Sequence, residues 1–373
     1  MTLPNPLNMP RPYSVHGHTL SFFTRNLTGY MTYKGMPWLQ RVKTWPDHIL
    51  AADWPGGMPV VKMPDGGIMW KTTAMILHLE HLYPEYAVLP DDDTLRFLCF
   101  ATEDFSDEWI YRCGPPTCWH YAENRQQSGW NIGRELSIHA PLGCDEAAAA
   151  AQARLSVSTP PFGATAENVG SWVDDILRRW QRAVGAVLEG RPYLFGGRPS
   201  LADFAIYGGN EAHFNREPVC RRWLEEDAPL LVDHTHRLFA PEDLEFGDWC
   251  GAKGIADALV ELLALLGRHY LPWVARATVD GQATINFTNG EAVEIAATDF
   301  LKDARATLLA RYDQLRNDHL DAILQRAGIL GYYRDHLDQA GPLPDPSAPP
   351  QPHQNRPYPT NLPRPPAKRS GAR

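Results

Sequence analysis

The sequence has few cysteines, no long uninterrupted apolar run and no excess of positive charge. Six cysteines in 373 residues are too few for a dense disulfide framework, which predicts reduced thiols. The most apolar stretch, 255–266, contains Asp257 and Glu261, so no transmembrane helix is predicted. Lys and Arg total 35 against 44 Asp and Glu, which argues against a nucleic-acid-binding protein.

The first residues also lack the apolar core of a secretory signal, because four prolines interrupt positions 1–17. Together with the reduced thiols, this favours a cytoplasmic protein. Cys113 and Cys118 share the motif CGPPTC, with His120 close behind, but a metal site would need more ligands at regular spacing. We therefore predict no metal site and interpret these thiols as structural.

Hydrophobic residues make up 44% of the chain, enough for a sizeable core, and the length suggests two domains. After HTLSFF, predicted as the first strand, the pattern alternates helix, strand, hairpin and helix. Later residues follow a helical period. We expect an irregular arm at 1–14, a small α/β domain at 15–85, a helical domain at 91–340 and a disordered tail at 341–373, which contains 11 prolines.

Three local patterns are clear. Residues 278–295 carry β-branched residues on both sides of Asn289-Gly290, which predicts a two-stranded hairpin inserted among the helices. The stretch from Thr72 to Leu82 predicts a helix that ends at Tyr-Pro. Glu103, Asp107 and Glu108 share one side of a further predicted helix; paired carboxylates can perform acid–base chemistry, but a solvated acidic face is the interpretation we favour. 

Three sequence stretches resemble the glutathione S-transferase superfamily. They are SFFTRNLTGYMTYKGMPW (21–38), GGMPVVKMPDGGIMWKTTAMILHLEHLYPE (56–85) and RPYLFGGRPSLADFAIYG (191–208). The resemblance implies a thioredoxin-like N-terminal domain followed by a helical C-terminal domain, extended here from about residue 241. Within the third stretch, Ser200 and Asp203 have the spacing of a capping box, in which each side chain accepts from the other residue's backbone N–H.

The resemblance also implies a glutathione site. Its cis-proline turn corresponds to Met58 and Pro59, where the Met58 backbone would bind the cysteinyl part of glutathione like an added strand. Thr72 would hold the γ-glutamyl carboxylate at a helix N-terminus. Lys71 departs from the Glu or Gln usual in the family, and a lysine repels the glutathione ammonium, so it favours a more anionic ligand or points to solvent.

In this family a hydroxyl near the end of the first strand lowers the pKa of the glutathione thiol. Ser21 and then Thr24 are the candidates here, although either is equally a candidate helix N-cap. The resemblance implies glutathione-dependent conjugation, ether cleavage or isomerisation of an apolar electrophile. The alternative is a binding or scaffold module that retains the fold without the chemistry. The resemblance permits a homodimer. The long extension could equally cover the usual dimer interface, so the oligomeric state stays open.

Overall fold

The computed structural model describes residues 11–41, 57–137, 143–155, 159, 162–239, 247–251 and 254–350. Most of the predicted N-terminal arm and all of the chain after residue 350 lie outside the described residues. The predicted division into an arm, two domains and a tail therefore stays a prediction at both ends.

The N-terminal part contains a four-stranded sheet in the order β2-β1-β3-β4. Its strands are β1 (Tyr13–His16), β2 (Trp38–Arg41), β3 (Val60–Lys62) and β4 (Ile68–Trp70). β1 pairs in parallel with β2 and antiparallel with β3, which in turn pairs antiparallel with β4. Two helices belong to this part, α1 (Phe22–Tyr33) and α2 (Thr72–Leu82).

The first strand lies earlier than predicted. β1 spans Tyr13–His16, so it begins inside the predicted arm, and HTLSFF forms the following loop and the start of α1. The reason is local: Ser21 adopts extended backbone angles and caps α1, which forces Phe22 and Phe23 into the helix. The placement of the first strand at 18–23 was therefore wrong, whereas the predicted helix at Thr72–Leu82 is confirmed.

The rest of the chain is mainly helical. Its helices are α3 (Asp93–Asp104), α4 (Gly114–His120), α5 (Ala122–Ser137), α6 (Cys144–Leu155), α7 (Val169–Trp172), α8 (Arg178–Val187), α9 (Leu201–Gly209), α10 (Pro218–Asp227), α11 (Pro229–Phe239), α12 (Asp257–Leu265), α13 (Leu271–Asp280), α14 (Asp299–Leu315), α15 (Asp318–Arg326) and α16 (Gly331–Arg334). Within the described ranges, none of these helices combines the length and apolarity that a membrane crossing requires.

Close packing of α1 on α9 joins the sheet to the helical part. At Gly29 of α1, an added Cβ would lie 2.5 Å from the Tyr207 ring, so only glycine permits this approach. α9 begins with the predicted capping box, which is confirmed: Asp203 N–H donates to Ser200 Oγ, and Ser200 N–H donates to Asp203 Oδ2. The second oxygen of Asp203 accepts from Leu194 N–H at 3.0 Å, so the cap also fixes the preceding loop.

The predicted hairpin is confirmed as β5 (Gln282–Asn286) paired with β6 (Ala292–Ala296). It packs on the helical core, where Phe287 meets Trp172 with ring centroids 5.7 Å apart. Trp273 donates its indole N–H to the carbonyl of Ile295 at 3.3 Å. The hairpin therefore buries one face against α7 and α13 and forms part of the C-terminal core.

The start of the predicted tail is ordered, which corrects the expectation of disorder for residues 341–350. Gly341 N–H donates to the Ala306 carbonyl at 3.0 Å, and Trp70 N–H donates to the Pro350 carbonyl at 3.1 Å. The His78 imidazole lies 2.9 Å from the Pro346 carbonyl. Composition predicts disorder here, but these backbone carbonyls find partners on β4 and α2.

Candidate functional site

One end of the sheet collects the three segments that carry the predicted site residues. The register pairs His16 with Val60 and Val60 with Trp70, so the end of β1, the start of β3 and the end of β4 form one row. The loop after β1, the turn before β3 and the N-terminus of α2 therefore lie next to one another at this end of the strands. These segments contain Ser21, Thr24, Met58, Pro59, Lys71 and Thr72.

The two candidate hydroxyls differ in exposure. Ser21 is half-buried at the N-cap of α1, where its Oγ accepts from Thr24 N–H at 3.2 Å. A serine hydroxyl in this role still has a proton to donate. Thr24 is fully buried, and its side chain packs against Gly17, where an added Cβ would lie 2.2 Å from Thr24 Oγ1. The geometry therefore favours Ser21 over Thr24 as a group that a ligand can reach.

Glu135 of α5 fixes the loop that leads to Ser21. It accepts hydrogen bonds from the Thr19 backbone N–H at 3.2 Å and from the Thr19 hydroxyl, and His18 Nδ1 lies 3.1 Å away. Burial acts to raise the pKa of Glu135, but the bonds from His18 and Thr19 outweigh it and lower that pKa. Glu135 therefore remains a carboxylate. Sequence reasoning missed it because it lies more than 100 positions from its partners.

The cis peptide bond predicted between Met58 and Pro59 is present. It immediately precedes β3, whose pairing with its neighbours begins at Val60. Gly57 packs against the Trp70 indole, because an added Cβ would lie 2.9 Å from the indole nitrogen. The turn before β3 and the end of β4 are therefore in direct contact.

Lys71 has a φ of 70°, a backbone conformation that residues other than glycine rarely adopt. Such outliers cluster at functional sites, since the surrounding structure must maintain them. Its ammonium lies 3.6 Å from the Asp303 carboxylate and 5.5 Å from the centre of the Phe300 ring, both on α14. Lys71 therefore contacts the C-terminal extension, a contact that the sequence does not reveal.

Thr72 is buried and is the first residue of α2, whereas Lys71 occupies the N-cap without a capping side-chain bond. A helix that begins in this way presents backbone N–H groups and the positive end of its dipole. The next residue, Thr73, donates its hydroxyl to Glu103 of α3. The N-terminus of α2 can therefore receive an anion while Thr73 anchors it to the helical part.

The acidic residues of α3 and the following turn are buried, so the expected solvated acidic face is wrong. Glu103, Asp107 and Glu108 are each less than a tenth exposed. Asp107 and Glu108 lie in a π-helical turn, Phe105–Trp109, that follows α3, and Glu103 accepts the Thr73 hydroxyl of α2. Asn26 of α1 donates to Asp107 across 3.4 Å.

Burial controls the ionisation of this acidic cluster. It raises the pKa of Glu103 to about 7, although the nearby Arg311 guanidinium opposes the shift. It raises the pKa of Glu108 to about 8, with the charge on Asp104 adding to the effect. Side chains with such values exchange protons near neutrality, which is what general acid–base chemistry requires.

The sequence profile of the glutathione S-transferase C-terminal domain matches residues 154–242. This part of the chain is a glutathione S-transferase C-terminal domain. The superfamily predicted from the sequence is therefore confirmed for residues 154–242. The predicted fold class, a mixed α/β N-terminal part followed by an extended helical part, is confirmed as well. No curated protein matches the sequence.

Several solved structures are similar to this chain at low identity. A glutathione S-transferase from Methylobacterium radiotolerans, crystallised with glutathione sulfonate, shares 16% identity, covers 65% of this chain and 98% of its own, with a TM-score of 0.39. The glutathione transferase GSTFuA3 from Phanerochaete chrysosporium shares 14%, covers 64% and 100%, with a TM-score of 0.44. FzlA from C. crescentus shares 17%, covers 60% and 92%, with a TM-score of 0.38.

Proposed function

We propose that this protein binds glutathione at the end of the sheet and activates its thiol for attack on an apolar electrophile. One observation carries the proposal. Because of the strand register, the Ser21 loop, the Met58–Pro59 turn and the N-terminus of α2 lie at the same end of the sheet. These three elements can serve one extended peptide that has a thiol in the middle and a carboxylate at one end.

Each part of glutathione would find a matching group. The Met58 backbone would pair with the cysteinyl residue as an added strand. Thr72 and the N-terminus of α2 would receive the γ-glutamyl carboxylate. Ser21 would donate its hydroxyl proton to the sulfur, which stabilises the thiolate and lowers the thiol pKa. After the thiol proton is lost to solvent, the sulfur would attack an electrophilic carbon and form a thioether. In conjugation by substitution or in ether cleavage the leaving group departs with the bonding electrons and takes up a proton, and in an isomerisation the thiolate is released again.

The charge at Lys71 determines whether the ammonium group of glutathione can bind beside it. A lysine alone repels it, but Asp303 lies 3.6 Å from Lys71 Nζ and brings a compensating negative charge to the same place. The same contact supports a second candidate, a non-catalytic binding module. In that case α14 uses Lys71 for packing, with Phe300 and Trp70 rings on either side, and glutathione is not the ligand.

Calorimetric titration of glutathione separates the two functions. We expect saturable binding by the wild type and at least equal binding by Lys71→Glu. Thr72→Val should weaken binding about 10- to 100-fold, since a hydrogen bond to a charged group contributes about 1.5–3 kcal/mol. Absence of binding by both the wild type and Lys71→Glu would overturn the proposal and favour the binding module.

A second measurement tests the chemistry. The absorbance of bound glutathione thiolate, followed against pH, should report a lowered thiol pKa in the wild type. Ser21→Ala should return that pKa toward its free value while glutathione still binds. Thr24→Ala is the matched control, because its hydroxyl is buried behind Gly17. An unchanged thiolate titration in Ser21→Ala would exclude Ser21 from the catalytic role.

Two further features of the protein remain proposals. All six cysteines are free, as is usual in the reducing cytoplasm, which supports a cytoplasmic location. A homodimer also stays a prediction, and the apolar co-substrate would bind against the helical part. Sedimentation of the full chain would give its oligomeric state directly.

A further inference from the structure

Three buried side chains from separate elements converge behind the loop that carries Ser21. One ligand atom each from Cys118, His213 and Glu217 lies within 4.8 Å of the others, and all three residues are at most 5% exposed. A thiol, an imidazole and a carboxylate are the three kinds of side chain that bind zinc in proteins. Their convergence inside the core therefore brings together the donor groups of a metal site.

Local structure explains why they meet. Cys118 lies on α4, and His213 lies in a π-helical turn, Asn210–Phe214, that follows α9. Glu217 is the N-cap residue of α10, one helical turn beyond His213. The spacing His-x3-Glu-x2-Cys adds Cys220 on α10, whose Sγ lies 3.6 Å from Glu217 Oε2. Cys220 contacts the carboxylate oxygen that His213 does not, so it lies next to the group of three and outside it.

The outer atoms of these side chains are also bonded, as is usual around metal ligands. His213 Nε2 lies 3.0 Å from the Leu20 carbonyl, so this nitrogen carries the proton and Nδ1 faces the cluster. Ser128 donates its hydroxyl to Glu217 at 3.2 Å. Asn124 donates its amide to Cys220 Sγ at 3.4 Å, a bond that suits a thiolate.

We propose that Cys118, His213 and Glu217 bind one zinc ion and that the Cys220 thiol moves in as the fourth ligand, which completes a closed structural site. Two sulfurs, one nitrogen and one oxygen give the mixed, partly soft donor set that suits zinc, and the full burial leaves no open coordination position. Both thiols release their protons to solvent on binding, so the ion and three anionic donors form a site of net charge −1. This proposal is independent of the proposed glutathione chemistry.

Besides the movement of Cys220, the metal-free geometry requires one small adjustment between His213 and Glu217. His213 Nδ1 and Glu217 Oε1 are 2.5 Å apart. Nitrogen and oxygen ligands of a tetrahedral zinc ion are separated by about 3.3 Å, given bonds of about 2.0–2.1 Å. The two side chains must therefore move apart by somewhat less than about 1 Å, which a rotation of the carboxylate provides.

Zinc would also determine how firmly the Ser21 loop is held. Coordination at Nδ1 fixes the imidazole ring and its protonated Nε2, which strengthens the bond to the Leu20 carbonyl. The same ring stacks on Phe22, the first residue of α1, with centroids 5.2 Å apart. The ion would thus join α4, α10 and the start of α1 through one residue.

The test is zinc binding by the purified full chain. After dialysis against a chelator, zinc is added back and its affinity is measured by competition with a chromogenic chelator. We expect about one ion per chain. Cys118→Ser and His213→Gln should each lower the affinity by more than about 100-fold, because outer partners alone contribute about 10- to 100-fold.

Cys113→Ser is the matched control, since Cys113 is buried in the same motif but contacts the Trp172 carbonyl instead of the cluster. It should keep wild-type zinc affinity. Cys144 and Cys250 are partly exposed, so any zinc that their double serine variant loses is adventitious, whereas zinc at the proposed site should remain bound to it. Zinc affinity that survives both Cys118→Ser and His213→Gln would overturn the proposal.

Cobalt substitution keeps the test valid if the ligand variants do not fold. The wild type with cobalt alone should show a thiolate-to-metal absorption band in the near ultraviolet and the visible bands of a tetrahedral ion. If the Cys144/Cys250 double serine variant binds neither cobalt nor zinc, Glu217 is simply a hydrogen-bonded carboxylate, with His213 and Ser128 as its partners, and the zinc site is rejected.

Discussion

Tyr270 donates its hydroxyl to Asp104 Oδ2 across 2.6 Å, deep inside the helical part of the protein. Tyr270 belongs to the C-terminal extension, whereas Asp104 ends α3. The C-terminal extension thus supplies a hydrogen-bond donor to the buried carboxylate of Asp104. Arg305 and Arg311 of α14 oppose the effect of burial, which nevertheless raises the pKa of Asp104 to about 6.

Stability should fall as the pH rises from about 5 to 8. In this range the unfolded chain has lost the protons of its carboxyls, whereas Glu103 and Glu108 hold theirs up to pKa values of about 7 and 8. The folded state therefore binds more protons than the unfolded chain, and the free energy of unfolding decreases with rising pH until both groups are ionised. Glu108→Gln should flatten the slope of unfolding free energy against pH, with each pKa unit contributing about 1.4 kcal/mol. The exposed Glu261→Gln serves as control, and equal slopes in both variants would contradict the assignment.

Glu135→Gln should loosen the loop before Ser21. The amide keeps the size of the side chain but loses the charge that the His18 and Thr19 bonds stabilise. We expect a loss of about 1–3 kcal/mol in unfolding free energy at pH 7. Because the pKa of Glu135 is lowered, its contribution is present above the pKa of the unfolded chain and is lost as the pH falls. Hydrogen exchange of Thr19 N–H measures the local effect; unchanged exchange would show that the loop does not depend on Glu135.

Ser200→Ala should lower stability without a selective effect on any activity. It removes the hydroxyl that accepts from Asp203 N–H at the start of α9. The expected cost is about 0.5–2 kcal/mol in unfolding free energy, measured by chemical denaturation. Ser137→Ala is a fair comparison, because its hydroxyl bonds only locally near the end of α5. Normal stability of Ser200→Ala would show that the capping box contributes little.

Ending the chain after residue 340 should destabilise the sheet, whereas ending it after 350 should not. The shorter chain loses the Pro350 carbonyl that accepts from Trp70 N–H and the Pro346 carbonyl beside His78. Together with the bond from Gly341 N–H to the Ala306 carbonyl, three hydrogen bonds are lost, which suggests about 1.5–4.5 kcal/mol. The two truncated chains differ only in residues 341–350, so thermal unfolding of both gives the contribution of that segment. Equal melting temperatures would show that these contacts are dispensable.

Local signals allowed much of the fold to be predicted from the sequence. The Asn289-Gly290 turn predicted the hairpin, and the Ser200–Asp203 spacing predicted the capping box, because both depend on neighbours within a few residues. The burial of Glu103 was not predictable in this way. Its compensating guanidinium, Arg311, lies about 200 positions away, and periodicity does not reveal such distant partners.

The candidate site was predictable to a similar extent. The Met58–Pro59 turn and the N-terminus of α2 follow from the motif that surrounds them. The pairing of Lys71 with Asp303 required α14 to pack beside the sheet, and Glu135 required α5 to reach the loop before Ser21. In each case the sequence identified the residue at the site, while its partner came from a distant element.

The segment 341–350 also changes what the edge of the sheet can offer to another chain. β4 is an edge strand of the sheet, and an open edge is a template for strand exchange and aggregation between chains. The Pro350 carbonyl occupies the Trp70 N–H on that edge. Because proline has no N–H, the covering segment cannot extend the ladder to a further strand. Pro350 thus occupies this donor of the edge strand and offers no donor of its own to a further strand.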